Sequence, residues 1–209
     1  MLPSQGTSQS PDDEKILEYA AELFGQIGIT KPNPDTVVWD DNMDSDRVSV
    51  VFGEVRLPRS MMSKLTAEDW RPLLAPSIIY NYVLSRDKNR GSLTRVVLPV
   101  GLGEIPLVYA LLTIFRLTNQ DYSRTLLITT VTLWTVFTVS LMALNIRWLW
   151  RTISYKADWR AANIIGKQAL IAALAKYGQT ISVTGYPRKR LHLWPTVRQR
   201  IERLQKAKA

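Results

Sequence analysis

Cysteine is absent from this chain, and histidine occurs once, at His192. The first absence excludes disulfides and thiolate metal sites. The second argues against a zinc centre built on imidazoles, which would need two or three of them. Acid is scarce as well, but unevenly. Residues 1–46 carry ten acids against two bases, whereas the rest of the chain carries 25 bases against eight acids, for a formal net charge of +9. So basic a surface suits phosphate, in lipid headgroups or nucleic acid. No nucleic-acid-binding motif occurs, and the aromatics are not interleaved with the bases, so lipid is the simpler reading. Met1–Pro11 is polar and runs into Asp12-Asp13-Glu14, which does not read as a signal peptide.

The apolar residues are concentrated between Val96 and Trp150. Val96–Phe115 and Thr125–Ile146 supply about twenty and twenty-two mostly apolar residues. At ~1.5 Å of helix per residue, each is long enough for a hydrocarbon core ~30 Å thick. The short polar connection Arg116–Arg124 makes the two a transmembrane hairpin. Pro99, Gly101, Gly103, Glu104 and Pro106 fall in the first span, so it is either kinked or begins only near Ile105. Glu104 is then open to two readings. It is a buried carboxylate that meets a partner or lines a polar cavity, or it sits at the interface of a shorter, shifted span. Arg86, Lys88, Arg90 and Arg95 precede the first span and Arg147, Arg151, Lys156 and Arg160 follow the second, against Arg116 and Arg124 in the turn. The positive-inside rule then places both flanks and both termini in the cytoplasm, in a multi-pass protein of the inner, cytoplasmic membrane.

Outside the hairpin, residues 1–11 read as a flexible tail. A helix begins at Pro11, with three acids in its first turn and Ile16, Leu17, Ala20, Leu23 and Phe24 at helical spacing, and Gly28 ends it. Thr36–Asp40 and Val48–Gly53 are β-rich runs, and Glu54–Pro58 reads as a continuation of the second. Thr66 and Asp69 form an approximate capping box for a helix weakened by Pro72 and Pro76. After the hairpin, Ile153–Tyr177 reads as one long helix ended by Gly178. A last helix starts at Pro195 with Val197, Ile201 and Leu204 on one face, behind the basic loop Arg188-Lys189-Arg190. The domain plan is thus 12–95, the hairpin 96–146, and 147–209.

This order of elements resembles the membrane-embedded zinc metallopeptidases of the HtpX and Oma1 kind, over about residues 13–205. The Leu65-Thr-Ala-Glu-Asp-Trp70 helix entry, the hairpin, Ala157-Asp158 and a terminal Pro195 followed by Arg200-Ile201 carry the resemblance. It implies an α+β fold: a mostly helical, minigluzincin-type cytoplasmic domain with a small β-sheet, split by the two-helix hairpin. In that family the first helix bears His-Glu-x-x-His, in which two histidines bind zinc and the glutamate activates the bound water. Here Pro76 and Tyr80 stand at the histidines and Ser77 at the glutamate. Ser154 stands at the third ligand, and Trp194 replaces the histidine of a terminal His-Pro-Pro. Proline has no donor, and serine and neutral tyrosine are poor zinc ligands. The resemblance therefore implies a pseudopeptidase, not an enzyme, with no cofactor and no metal.

The expected function is that of an accessory or structural subunit that binds and stabilises a larger membrane complex. Its partners would be other integral membrane proteins and anionic lipid headgroups, with no nucleic acid. Glu104, Trp148 and Trp150 are candidate partner contacts, and Arg188, Lys189 and Arg190 candidate lipid contacts. The alternative is a peptide-binding or residual hydrolase-type protein of membrane quality control, whose edge strand near Val48–Phe52 would pair with an extended substrate. Asp158 reads as a leftover metal-site neighbour, as a surface acid beside Lys156 or Arg160, or, in the favoured reading, as one end of a structural bond. His192 reads as a surface or interfacial residue.

Overall fold

The computed structural model describes residues 10–44, 47–117, 120–184 and 194–206. The tail before Ser10, the basic loop Arg188–Arg190 and His192 lie outside them. The chain is mostly helical, 77%, with one three-stranded sheet, as an α+β protein should be. It separates into two units: Met1–Ser85 with Ile153–Ala209, and Arg86–Thr152. The expected division placed the limits at 95/96 and 146/147, and helix continues past the apolar runs on both sides.

In the first unit, helix α1 (Pro11–Ile27) begins as its sequence indicates. Ser10 Oγ accepts from the Asp13 amide at 3.3 Å, and Asp13 Oδ2 accepts from the Ser10 amide at 3.0 Å. Such reciprocal caps satisfy amides that have no partner within the helix. Gly28 ends the helix in the left-handed region at φ 76°. Ile16, Ala20, Leu23 and Phe24 are buried along one face.

Strands β1 (Thr36–Asp40), β2 (Ser49–Val51) and β3 (Glu54–Pro58) form a sheet in the order β1-β3-β2. β3 runs parallel to β1 and antiparallel to β2. Glu54–Pro58 is thus a separate central strand and not a continuation of the second. The chain reverses through Phe52 and Gly53, at φ 52° and 82°. Positive φ at both residues gives a two-residue turn whose twist matches that of the strands. Asn-Gly is the usual signal for this turn. Phe-Gly hid it.

Helix α2 (Ala67–Ile78) is capped by Thr66, whose amide and hydroxyl both donate to Asp69 Oδ2 at 2.9 Å. It holds Pro72 and Pro76 without ending, then widens into a π turn over Ile79–Val83, where the Leu84 amide donates to the Ile79 carbonyl at 2.9 Å. The fully buried Trp70 ring packs edge-on against Trp39 (centroids 6.0 Å) and Tyr177 (5.9 Å). Trp39 Nε1 in turn donates to the buried Asp13 carboxylate at 3.0 Å. One chain of aromatics therefore joins the first helix, the sheet, α2 and a helix near the C-terminus.

The second unit is the hairpin. Helix α3 (Ser85–Ser92), a π turn at Leu93–Val97 and α4 (Leu98–Leu117) follow one another without a break, and α5 (Gln120–Ile165) runs for 46 residues. Pro99 has no amide to donate to Arg95, and the widened turn just before it lets the helix carry on. Helix therefore runs without interruption from Ser85 through Pro99 and Pro106 to Leu117. The connection is also shorter than Arg116–Arg124, since helix occupies both of its ends. Two helices, Ser85–Thr113 and Thr125–Ile165, contain stretches long and apolar enough to cross a membrane. Their apolar side chains point outward: Leu102, Ile105, Leu133 and Leu144 are each about two-thirds exposed.

Beyond the hairpin the structure corrects the expected helix Ile153–Tyr177. α5 already includes its first part, and the break comes at Gly166, with φ 93°, before α6 (Lys167–Thr184). Gly178 lies inside α6. A Cβ there would meet Val197 Cγ1 at 3.2 Å, so its bare backbone lets α7 (Val197–Lys206) pack closely. Thr196 caps α7, its hydroxyl accepting from the Gln199 amide at 3.3 Å.

Candidate functional site

The positions that the resemblance aligns with a metal centre lie on α2, on the π turn after it and on α5. Pro76 and Ser77 are buried on α2. Ser77 Oγ accepts a buried hydrogen bond from the Val50 amide at 2.8 Å. One helical turn on, Asn81 Nδ2 donates to the Val50 carbonyl at 3.0 Å. An amide and carbonyl of one strand residue point the same way. In this register Val50 lies opposite Val55, so its pair faces away from β3, on the outer edge of β2. Ser77 and Asn81 together close that edge.

Tyr80 packs edge-on against Trp194, with ring centroids 4.9 Å apart, and the Arg47 guanidinium lies 4.9 Å over the Trp194 ring. Burial pushes the Tyr80 hydroxyl up to about 12, against a smaller opposing pull from Arg47. It is therefore protonated and neutral at pH 7. Ser154 and Asp158 are buried one helical turn apart on α5. Asp158 pairs with neither Lys156 nor Arg160. Arg200 of α7 holds it at two points, Nε to Oδ2 at 2.9 Å and Nη2 to Oδ1 at 2.5 Å.

This donor set does not fit zinc. Proline offers no lone pair, the Ser77 oxygen is engaged by Val50, and neutral tyrosine is a poor ligand. Among the described residues no cluster of three His, Asp or Glu side chains could hold a metal ion.

No family model matches the chain, and neither a curated protein nor a solved structure does.

The remaining candidates are in the hairpin. Glu104 is exposed on α4, with helix on both sides of it. Trp148 is half-exposed on α5, with the Arg95 guanidinium 4.1 Å over its ring, while Trp150 is partly buried. Asn81 and Arg47 were not singled out from the sequence, and Arg95 entered only among the bases that flank the first span. Asn81 left a local sign in its four-residue spacing from Ser77, and Arg95 in its place just before the apolar run.

Proposed function

We propose that the protein is a non-catalytic, peptidase-like integral membrane protein that serves as an accessory subunit of a larger membrane complex, with its soluble unit and both termini in the cytoplasm. The observation that carries this reading is the Ser77–Val50 bond. The side chain at the position of the general base is fixed in the core as a strand clamp. Tyr80, at a ligand position, is likewise fixed by Trp194. A frame maintained in this way, in a chain that also carries a hairpin of outward-facing apolar side chains, suits a protein that binds others.

Peptide capture along β2 is the less favoured reading. An incoming strand would need the outer amide and carbonyl of Val50, and Ser77 and Asn81 occupy both. The hairpin would dock through its exposed faces, with small residues such as Gly101 and Gly103 permitting close helix approach.

Purification from membranes in a mild detergent tests the proposal. It should yield a stoichiometric complex with other membrane proteins, no zinc above background and no chelator-sensitive proteolysis. A monodisperse lone chain with one zinc per molecule and chelator-sensitive peptidase activity would overturn it.

A further inference from the structure

The polar ends of the hairpin meet in an unusual way. Gly91 of α3 lies against the buried Leu149 of α5, so close that an added Cβ would fall 2.6 Å from Leu149 Cδ1. This contact sets residues 86–95 beside 147–151, two segments that together hold six bases and one acid. Like charges brought together repel, and increasingly so where the surroundings are less polar than water. Such an arrangement calls for an anion.

Its centre is Arg95. The guanidinium is exposed and stacked on Trp148 at 4.1 Å. Stacking holds the planar group in place and leaves its N–H edge to grip a phosphate at two points. Depth decides which phosphate. Arg95 immediately precedes the apolar run that starts at Val96, and Trp148 follows closely on the run that ends at Ile146. Both lie where apolar helix gives way to polar, the level at which tryptophan and arginine meet headgroups.

We infer that Arg95, stacked on Trp148, forms a binding site for the phosphate of an anionic phospholipid, to which the exposed Arg90 and Arg147, near them in sequence, add positive charge. The inference rests on the hairpin lying in a bilayer, as the proposed function requires. The charge previously assigned to lipid in the loop Arg188–Arg190 is here joined by a site built on two helices.

Native mass spectrometry of the full chain, released from mild detergent with phosphatidylglycerol or phosphatidylcholine of equal chain length, tests the site. Phosphatidylglycerol should be retained preferentially. Arg95→Gln should weaken that retention about fivefold, and Arg95→Gln with Arg147→Gln by roughly another factor of five. Arg95→Lys keeps the charge but not the fork, and should fall between wild type and Arg95→Gln. Tryptophan-fluorescence melts matching wild type confirm that each variant is folded. Equal retention of the two lipids, or unchanged preference in folded Arg95→Gln, overturns the inference, as does displacement of the lipid by millimolar inorganic phosphate. Alkaline carbonate extraction reads the bilayer placement separately. A chain that stays in the membrane pellet without preferring anionic lipid defeats this inference alone, whereas a chain released by carbonate defeats the membrane reading too.

Discussion

Arg200 on α7 grips Asp158 on α5 by two parallel hydrogen bonds, with the aspartate side chain only 3% exposed and the arginine side chain 17%. Removing one member of a buried pair strands the other's charge, at a cost of roughly 3–5 kcal/mol. Asp158→Asn should therefore lower the denaturation midpoint of the detergent-solubilised protein by an amount of that order. Arg200→Lys, which keeps charge but loses the fork, should cost less. A loss below about 0.5 kcal/mol in Asp158→Asn would mark the pair as no stronger than a surface one.

Ser77→Ala leaves the Val50 amide buried without its acceptor. The expected destabilisation is about 1–3 kcal/mol. Hydrogen exchange locates the effect: the Val50 amide should exchange faster, while amides in α1 change only as far as global stability does.

Acid should loosen the contact between α2 and α6. Burial raises the Asp69 carboxyl, but hydrogen bonds from Lys176 (2.6 Å) and from the Thr66 amide and hydroxyl outweigh it and hold the group below its ordinary range. A carboxylate depressed in the folded state adds stability above its unfolded value, near pH 4, and that stability fades as pH falls through the lower folded value. Melting temperature should thus drop below about pH 4 more steeply in wild type than in Asp69→Asn. Lys176 is half-exposed, so the difference will be modest.

Glu104 is an exposed carboxylate within an apolar helix, where a charge costs about 2.5–3.5 kcal/mol unless it is met. If a partner helix meets it, Glu104→Leu should strip that partner during mild detergent purification while improving membrane insertion of the chain alone. Glu104→Gln, still able to hydrogen-bond, should retain more of the complex. Blue-native gels distinguish the outcomes, and an unchanged complex in Glu104→Leu would remove Glu104 from the interface.

Installing the donors of the metallopeptidase pattern tests the resemblance directly. The variant Pro76→His, Ser77→Glu, Tyr80→His, Ser154→Glu should bind about one zinc per chain, the number one rebuilt site would hold. Elemental analysis of the folded variant beside wild type reads this. A folded variant without zinc would mean that the aligned positions do not converge.

Local signals in the sequence were legible where neighbouring residues decide the structure. The acids that open α1, the cap at Thr66 and the stop at Gly28 depend on neighbours within three or four residues, and so did the apolar face of α1; the cap at Ser10 was missed. Errors came where distant packing decides. Gly166 and Gly178 look alike in sequence, but only the first adopts positive φ, while the second makes room for Val197. The sequence favours a structural bond for Asp158, which its pairing with Arg200 bears out, but a partner 42 residues on left no local sign of its identity. Of the candidate site, the residue identities argued against zinc, but nothing local showed that Ser77 and Asn81 would both turn to Val50.

That clamp also bears on how the protein survives crowding. A three-residue strand at the margin of a sheet is an open template for the strands of neighbouring molecules, and such templates seed aggregates. With both outward groups of Val50 taken by a helix of the same chain, the β2 margin has no free donor or acceptor at its midpoint. Loosening Ser77 or Asn81 would therefore cost solubility as well as stability, and would do so soonest at high concentration.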